Sequence, residues 1–158
     1  MKKTHLIVIF VALILIILQT LNMTSTTGRL TEAKSNAADL RIVTRIVDGD
    51  TIVVEGGDRI RLLDIDTPEK GQTCYKEAKD RLTELIDGKQ VELKSGKEDK
   101  DTYDRLLRYV FYNGTNINML MVREGWANLY FYNKDTPYYS QLIEAEQAAK
   151  IDGLCVWR

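Results

Sequence analysis

The chain has 158 residues, and its 22 Lys and Arg against 23 Asp and Glu give a formal net charge of −1, which supplies no global attraction to a polyanion. With 44% hydrophobic and 28% charged residues, ten Gly and only two Pro, the composition is that of an ordinary globular protein and argues against disorder or repeats. The one histidine, His5, lies in an apolar N-terminal stretch and the two cysteines are too few for a four-thiolate zinc site, which excludes a His-based triad, a His-activated nucleophile and a His-bound zinc. Any hydrolytic chemistry must then rest on carboxylates, Arg, Lys, Tyr or a hard cation.

Lys2 and Lys3 precede thirteen consecutive apolar residues, Leu6 to Leu18, the charged and apolar regions of an export signal. A membrane span needs about 20 residues. The uncharged Gln19, Thr20 and Asn22 let the segment extend to Met23, so residues 1–23 are expected to be a cleaved signal peptide or a retained signal anchor. Either places the protein outside the cytoplasm, secreted or held on the outer face of the cytoplasmic membrane. Ser35-Asn36-Ala37 has the shape of a cleavage site but lies far downstream, and no Cys follows the apolar run to accept lipid. Residues 24–38, rich in Thr, Ser, Ala and Asn, read as a flexible spacer. Residues 39–158 then form one domain, whose 18 basic and 22 acidic residues leave it with a net charge of −4.

Within that domain Leu40 to Val47 alternates as a strand, and Asp48-Gly49-Asp50 is a turn signal before a second strand, Thr51 to Glu55. Gly56-Gly57-Asp58 turns the chain into a third, Arg59 to Leu63. Tyr75 to Ile86 has helical period, with Ala78, Leu82, Leu85 and Ile86 on one face and Gly88 beyond its end. Gln90 to Lys94 and Leu106 to Tyr112 are two more strands, the second followed by the turn Asn113-Gly114. Asn116 caps a short helix through Arg123, and after the aromatic run Trp126 to Tyr132 a last helix spans Tyr138 to Ile151. Three strands, a helix, two strands and then helices describe an α+β fold, a five-stranded Greek-key OB barrel with three helices.

Three motifs stand in this order: Asp48-Gly49-Asp50-Thr51, then Arg61 to Glu69 (RLLDIDTPE), then Asp101-x-Tyr103-x-Arg105. Each is weak alone, but together, with the expected barrel between them, they resemble the staphylococcal nuclease family over nearly all of the domain. The resemblance implies a calcium-dependent endonuclease acting on DNA, and on RNA as a second substrate, that leaves 3′-phosphate ends. It implies that Asp50, Asp66 and the backbone carbonyl of Thr67 bind Ca²⁺, a hard-oxygen set that leaves room for waters and a phosphate oxygen. Glu69 is implied as the general base on the attacking water, and Arg61 and Arg105 as the arginines that clamp the phosphate and neutralise the transition state. Tyr103, Tyr130 and Tyr132 are implied as substrate contacts, with core packing the alternative for the last two. Asp48 is either a neighbour of the ion site or simply a turn former.

Some positions depart from the family. Thr102 stands where its best-known member has a Lys, and Asp104 replaces a Gly, so one positive contact is lost and an acid is added that is expected to pair with Arg105 or Arg108. The loop after Glu69 is shorter and leaves Lys70 and Lys76 as the nearest basic groups. Asp64 is read as a solvated surface acid rather than a carboxylate near the ion. Cys74 and Cys155, in an exported chain, suggest a disulfide that pins the C-terminal segment, with two separate buried thiols as the alternative. The alternative function is a non-catalytic OB-fold module that binds nucleic acid, and a monomer is expected in either case.

Overall fold

The computed structural model describes residues 38–131 and 135–158. The expected export segment, almost all of the spacer, and Tyr132 lie outside these residues. Among the described residues no helix is long and apolar enough to cross a membrane.

The elements in chain order are β1 (Asp39–Ile46), β2 (Thr51–Val54), β3 (Arg59–Leu62), β4 (Ile65–Asp66), α1 (Tyr75–Ile86), β5 (Gln90–Lys100), β6 (Leu106–Tyr112), β7 (Thr115–Asn116), α2 (Ile117–Arg123), β8 (Asn128–Leu129) and α3 (Tyr139–Ile151), ending in a 3₁₀ turn, Cys155–Trp157. Five strands run in the order β3-β2-β1-β5-β6, and β3 pairs back onto β6 in parallel, Arg61 opposite Leu107, which closes the barrel. The expected α+β architecture, a five-stranded OB barrel with three helices, is the one observed.

Alternation decides which side chains fill the barrel. On β2 and β3, Ile52, Val54, Ile60 and Leu62 point inward and are fully buried or nearly so, whereas Thr51, Val53, Arg59 and Arg61 point to the outer face. Val43, Val91 and Val110 complete the interior from the other three strands, and Ala78, Leu82 and Ile86 of α1 cover one end. At the start of α2 the Asn116 side chain accepts the Met119 N–H at 3.1 Å, the expected cap. Asn118, fully buried, joins that helix to the barrel: its Oδ1 accepts the Val110 N–H at 2.9 Å, and its Nδ2 donates to the carbonyls of Leu63 and Arg108.

Several features depart from the expected pattern, the short strands β4, β7 and β8 among them. β5 runs on to Lys100 rather than stopping at Lys94, because its polar second half pairs with the start of β6 through an irregular register between Ser95 and Lys100. Asp64 is not a surface acid. It is 2% exposed with a left-handed φ of 63°, and its carboxylate accepts hydrogen bonds from the Tyr109 phenol and from the Thr136 hydroxyl.

Candidate active site

The Asp48-Gly49-Asp50 turn leads directly into β2. Asp48 Oδ1 accepts the Asp50 N–H at 3.1 Å, so the turn role of Asp48 is built into the backbone. Burial, and then the neighbouring charge of Asp50, hold the Asp48 carboxyl above its usual value. Gly49 is needed for close approach, since a Cβ there would stand 2.8 Å from the Thr67 hydroxyl. That closeness lets Asp50 Oδ2 accept both the Thr67 N–H and the Thr67 hydroxyl, each at 2.8 Å. The second motif is thus tied to the first through a single carboxylate.

Arg61 lies on the outer face of β3 directly opposite Thr51, and although charged it is only 4% exposed. Such a group needs partners on every side. Its Nε stands 3.3 Å from Asp50 Oδ1, one terminal nitrogen donates to Asp66 Oδ1 at 2.9 Å, and the other donates to the Leu62 carbonyl at 2.8 Å. Asp66 sits on β4, which pairs with β8, and its side chain is 51% exposed. Burial is the first cause that holds the Asp66 carboxyl above its ordinary value; Arg61 pulls it down, and the charges of Asp50 and Glu69 push it up again.

The third motif is organised by Asp101. Its Oδ1 accepts the N–H groups of Tyr103 and Arg105, at 2.9 and 3.0 Å, and so shapes the turn, while its Oδ2 accepts from Arg105 Nε at 2.7 Å. Burial opposes the charge of Asp101, but the bonds from Arg105 and Tyr103 outweigh it and hold the carboxyl below the usual range. Arg105 then donates from a terminal nitrogen to the Thr51 hydroxyl at 3.2 Å, and Thr51 donates to Asp50 Oδ1 at 3.1 Å. A continuous chain of polar contacts runs Arg105, Thr51, Asp50, Arg61, Asp66.

The expected partners of Asp104 are corrected here. Asp104 pairs with Lys100 at 2.7 Å, while Arg105 pairs with Asp101 and Arg108 with Asp99. With φ at 62°, Asp104 occupies a conformation natural to the Gly it replaces and tolerated by Asp. The added acid is therefore neutralised locally and turned away from the two arginines.

Glu69 is exposed on the loop after Thr67. Its backbone N–H donates to Gln72 Oε1 at 2.7 Å, and its carbonyl accepts the Gln72 N–H at 2.9 Å. A cleft of about 480 Å³ opens beside Asp66 and Thr67, walled by Gln72, Asn128, Arg158 and the Cys74–Cys155 disulfide. The disulfide reading of the two cysteines is the one observed. Tyr103 is 79% exposed, with its ring 5.5 Å from the Arg105 guanidinium. Tyr130 follows β8, donates its N–H to the Asp64 carbonyl at 3.0 Å, and is 53% exposed rather than packed in the core.

The structure therefore brings Asp50, Arg61, Asp66, Thr67 and Arg105 together and places Glu69 on the adjoining loop. Reading the sequence missed three supporting residues: Thr51, Asp101 and Gln72. The first two stand inside the motifs, and only their side-chain bonds reveal what they do. Gln72 carries no signal in sequence. The ligand atoms that Asp50, Asp66 and Thr67 offer are all oxygen, with no imidazole or thiolate, a set whose chemistry fits a hard cation. Among the described residues no three acidic, His or Cys side chains converge as a complete ligand cluster, so water and substrate oxygens would have to fill the rest of such a shell.

Residues 59–158 match the family model described as staphylococcal nuclease homologue. The chain belongs to this family. It is 38% identical over 124 aligned positions to Endonuclease YncB of Bacillus subtilis (strain 168), covering 72% of this chain and 59% of that protein. The thermonuclease of Staphylococcus intermedius is 30% identical over 172 aligned positions, with 99% of each chain covered. The micrococcal nuclease of Shigella flexneri is 39% identical over 128 positions, covering 73% of this chain and 71% of that one. Against several of these staphylococcal nuclease relatives the chain spans less than two thirds of their length, 59% of YncB and 42% of the SPbeta prophage-derived endonuclease YokF.

Proposed function

We propose that this protein is an exported, calcium-dependent endonuclease that hydrolyses phosphodiester bonds of DNA, and of RNA as a second substrate, leaving 3′-phosphate ends. The observation that carries the reading is the Arg105–Thr51–Asp50–Arg61–Asp66 chain, which holds two guanidinium groups and two carboxylates on one outer face of the barrel. Family membership and the names of the relatives support the same chemistry.

In this mechanism Arg61 and Arg105 bind the phosphate and stabilise the charge that builds on its oxygens as water adds, a task suited to rigid, pre-oriented donors. Glu69 accepts the proton of that water, and its exposed position on the loop gives it access to solvent. The bond from phosphorus to the 5′ oxygen breaks, and the leaving oxygen takes a proton from solvent. Asp50, Asp66 and the Thr67 carbonyl would hold Ca²⁺, which when bound supplies a Lewis acid that offsets the charge of the phosphate. Asp50 serves both sides of the site, since its carboxylate also anchors Arg61 and, through Thr51, Arg105. Tyr103, Tyr130 and Tyr132 would contact the nucleotide. Residues 1–23 would direct export, with the enzyme released or anchored, and it would act as a monomer.

The test is digestion of labelled single-stranded and duplex DNA and RNA with calcium and with chelator. Cleavage should require calcium and fall by at least roughly a hundredfold in Glu69→Ala and in Arg61→Ala. Undiminished cleavage in those variants refutes the assignment, and binding without cleavage in the unaltered protein favours the non-catalytic module.

A further inference from the structure

Most basic side chains of the described residues are ion-paired, Arg41, Arg61, Arg81, Arg105, Arg108 and Arg123 among them. Arg45, Arg59 and Lys79 are not paired, and all three line one surface hollow of about 280 Å³ floored by Ile46 and Val47. An adjoining hollow of about 300 Å³ also carries Arg45 and Lys79, and its one carboxylate, Asp87, makes no ion pair with them. In an acidic domain, three unneutralised cations at one place mark a local anion site rather than a solvated face.

Strand register relates this hollow to the active site. Arg59 on β3 is opposite Val53 on β2, which is opposite Arg45 on β1, so the three side chains form one row on the outer face of the barrel. The neighbouring row on the same face is Arg61 opposite Thr51, the hydroxyl that Arg105 binds. Only the inward-pointing Ile60 separates Arg59 from Arg61, which sets the two rows about 6.8 Å apart, two residues along a strand. Lys79 of α1 extends the Arg45–Arg59 row at the edge of the barrel.

We infer that Arg45, Arg59 and Lys79 form a phosphate track, which binds the backbone of a polynucleotide at the nucleotides next to the one cleaved. A strand whose scissile phosphate rests on Arg61 and Arg105 passes its neighbouring phosphates over this row. Its three cations suit phosphate oxygens, which every nucleotide of the polymer carries whatever its base. It explains how an acidic domain retains a polyanion. The inference rests on the nuclease reading for the position of the cleaved bond, but not for binding itself.

The test uses the full chain with Glu69→Gln, so that bound polymer survives, and follows binding of labelled single-stranded DNA some tens of nucleotides long by fluorescence anisotropy across a salt series. Replacing all three residues (R45Q/R59Q/K79Q) should reduce the slope of log affinity against log salt by about 2 and weaken binding roughly a hundredfold at about 0.1 M salt, the effect of losing three phosphate contacts to a single strand. R45K/R59K should keep the parent slope. With Glu69 intact, the triple variant should cleave a dinucleotide at the parent rate, because so short a substrate does not reach the track. An unchanged slope and affinity overturns the inference. So does an equal loss on the dinucleotide, or an equal loss per charge in K89Q, whose lysine is also unpaired but lies outside both hollows. If the Glu69-intact chain cleaves nothing, the nuclease reading fails while the anisotropy series still decides the track.

Discussion

Gln72 holds the backbone of Glu69 from both directions, its side-chain oxygen on the Glu69 N–H and its own N–H on the Glu69 carbonyl. The loop that presents the proposed base is short and exposed, and this pair of bonds is its local restraint. Gln72→Ala keeps the backbone bond and removes the side-chain bond. Misplacing a catalytic group by a fraction of its working distance is costly, so kcat should fall on the order of tenfold or more while KM and thermal stability stay near the parent values. Steady-state kinetics beside a melting curve checks this, and an unchanged kcat counts against a positioning role. At this scale the sequence was informative where a residue acts through its own charge, as Asp50, Arg61, Asp66 and Arg105 do. It was silent where a residue acts by accepting a backbone bond. Asp64 shows the difference: nothing in its local sequence announces that Tyr109 and Thr136 will enclose it.

Helix α1 is fastened to the end of α2 by a fork. Arg81 donates from Nε and a terminal nitrogen to the two oxygens of Glu124 at 2.7 and 2.8 Å, and Trp126 Nε1 donates to Glu124 at 3.0 Å. The Arg81 bonds, against the cost of burial and with help from Trp126, hold the Glu124 carboxyl below its ordinary value. A carboxyl whose folded value is depressed contributes stability above its unfolded value, and loses that contribution as pH falls through the folded one. Glu124→Gln should therefore cost about 1 kcal/mol at neutral pH, the modest figure reflecting a pair that is a third exposed and screened. The gap between variant and parent should narrow as the medium is acidified below the usual glutamate range. Melting temperatures across a pH series check this, and a gap that persists or widens in acid contradicts it. The helices and long strands were readable because their apolar period is internal to each segment. The second half of β5 was not, because its polar residues are strand only through pairing with β6.

Across the whole molecule, the Cys74–Cys155 disulfide joins positions 81 residues apart and ties the C-terminal segment to the entrance of α1. A loop of that length constrains the unfolded chain by roughly 4 kcal/mol in the chain-entropy model. Reduction should lower the melting temperature by on the order of 15 °C, scaled from the few degrees per kcal/mol expected of a domain this size. The disulfide also forms part of the wall of the cleft beside Asp66. Calorimetry with and without reductant, and with both cysteines replaced by serine, checks the prediction; a melting temperature indifferent to reductant contradicts it.

Apolar periodicity and turn residues were sufficient to read the barrel and its helices, because those signals are local in sequence, and the three short motifs, through their resemblance to the family, pointed to the acids and arginines that the structure brings together. Tertiary structure alone decided that Asp50 joins the first motif to the second through Thr67 and to the third through Thr51. It also decided that Asp104 is neutralised by Lys100, and that Arg45, Arg59 and Lys79 share one hollow. The physical reason is common to all of these: strand register and barrel closure set them, and both bring together residues that are far apart along the chain.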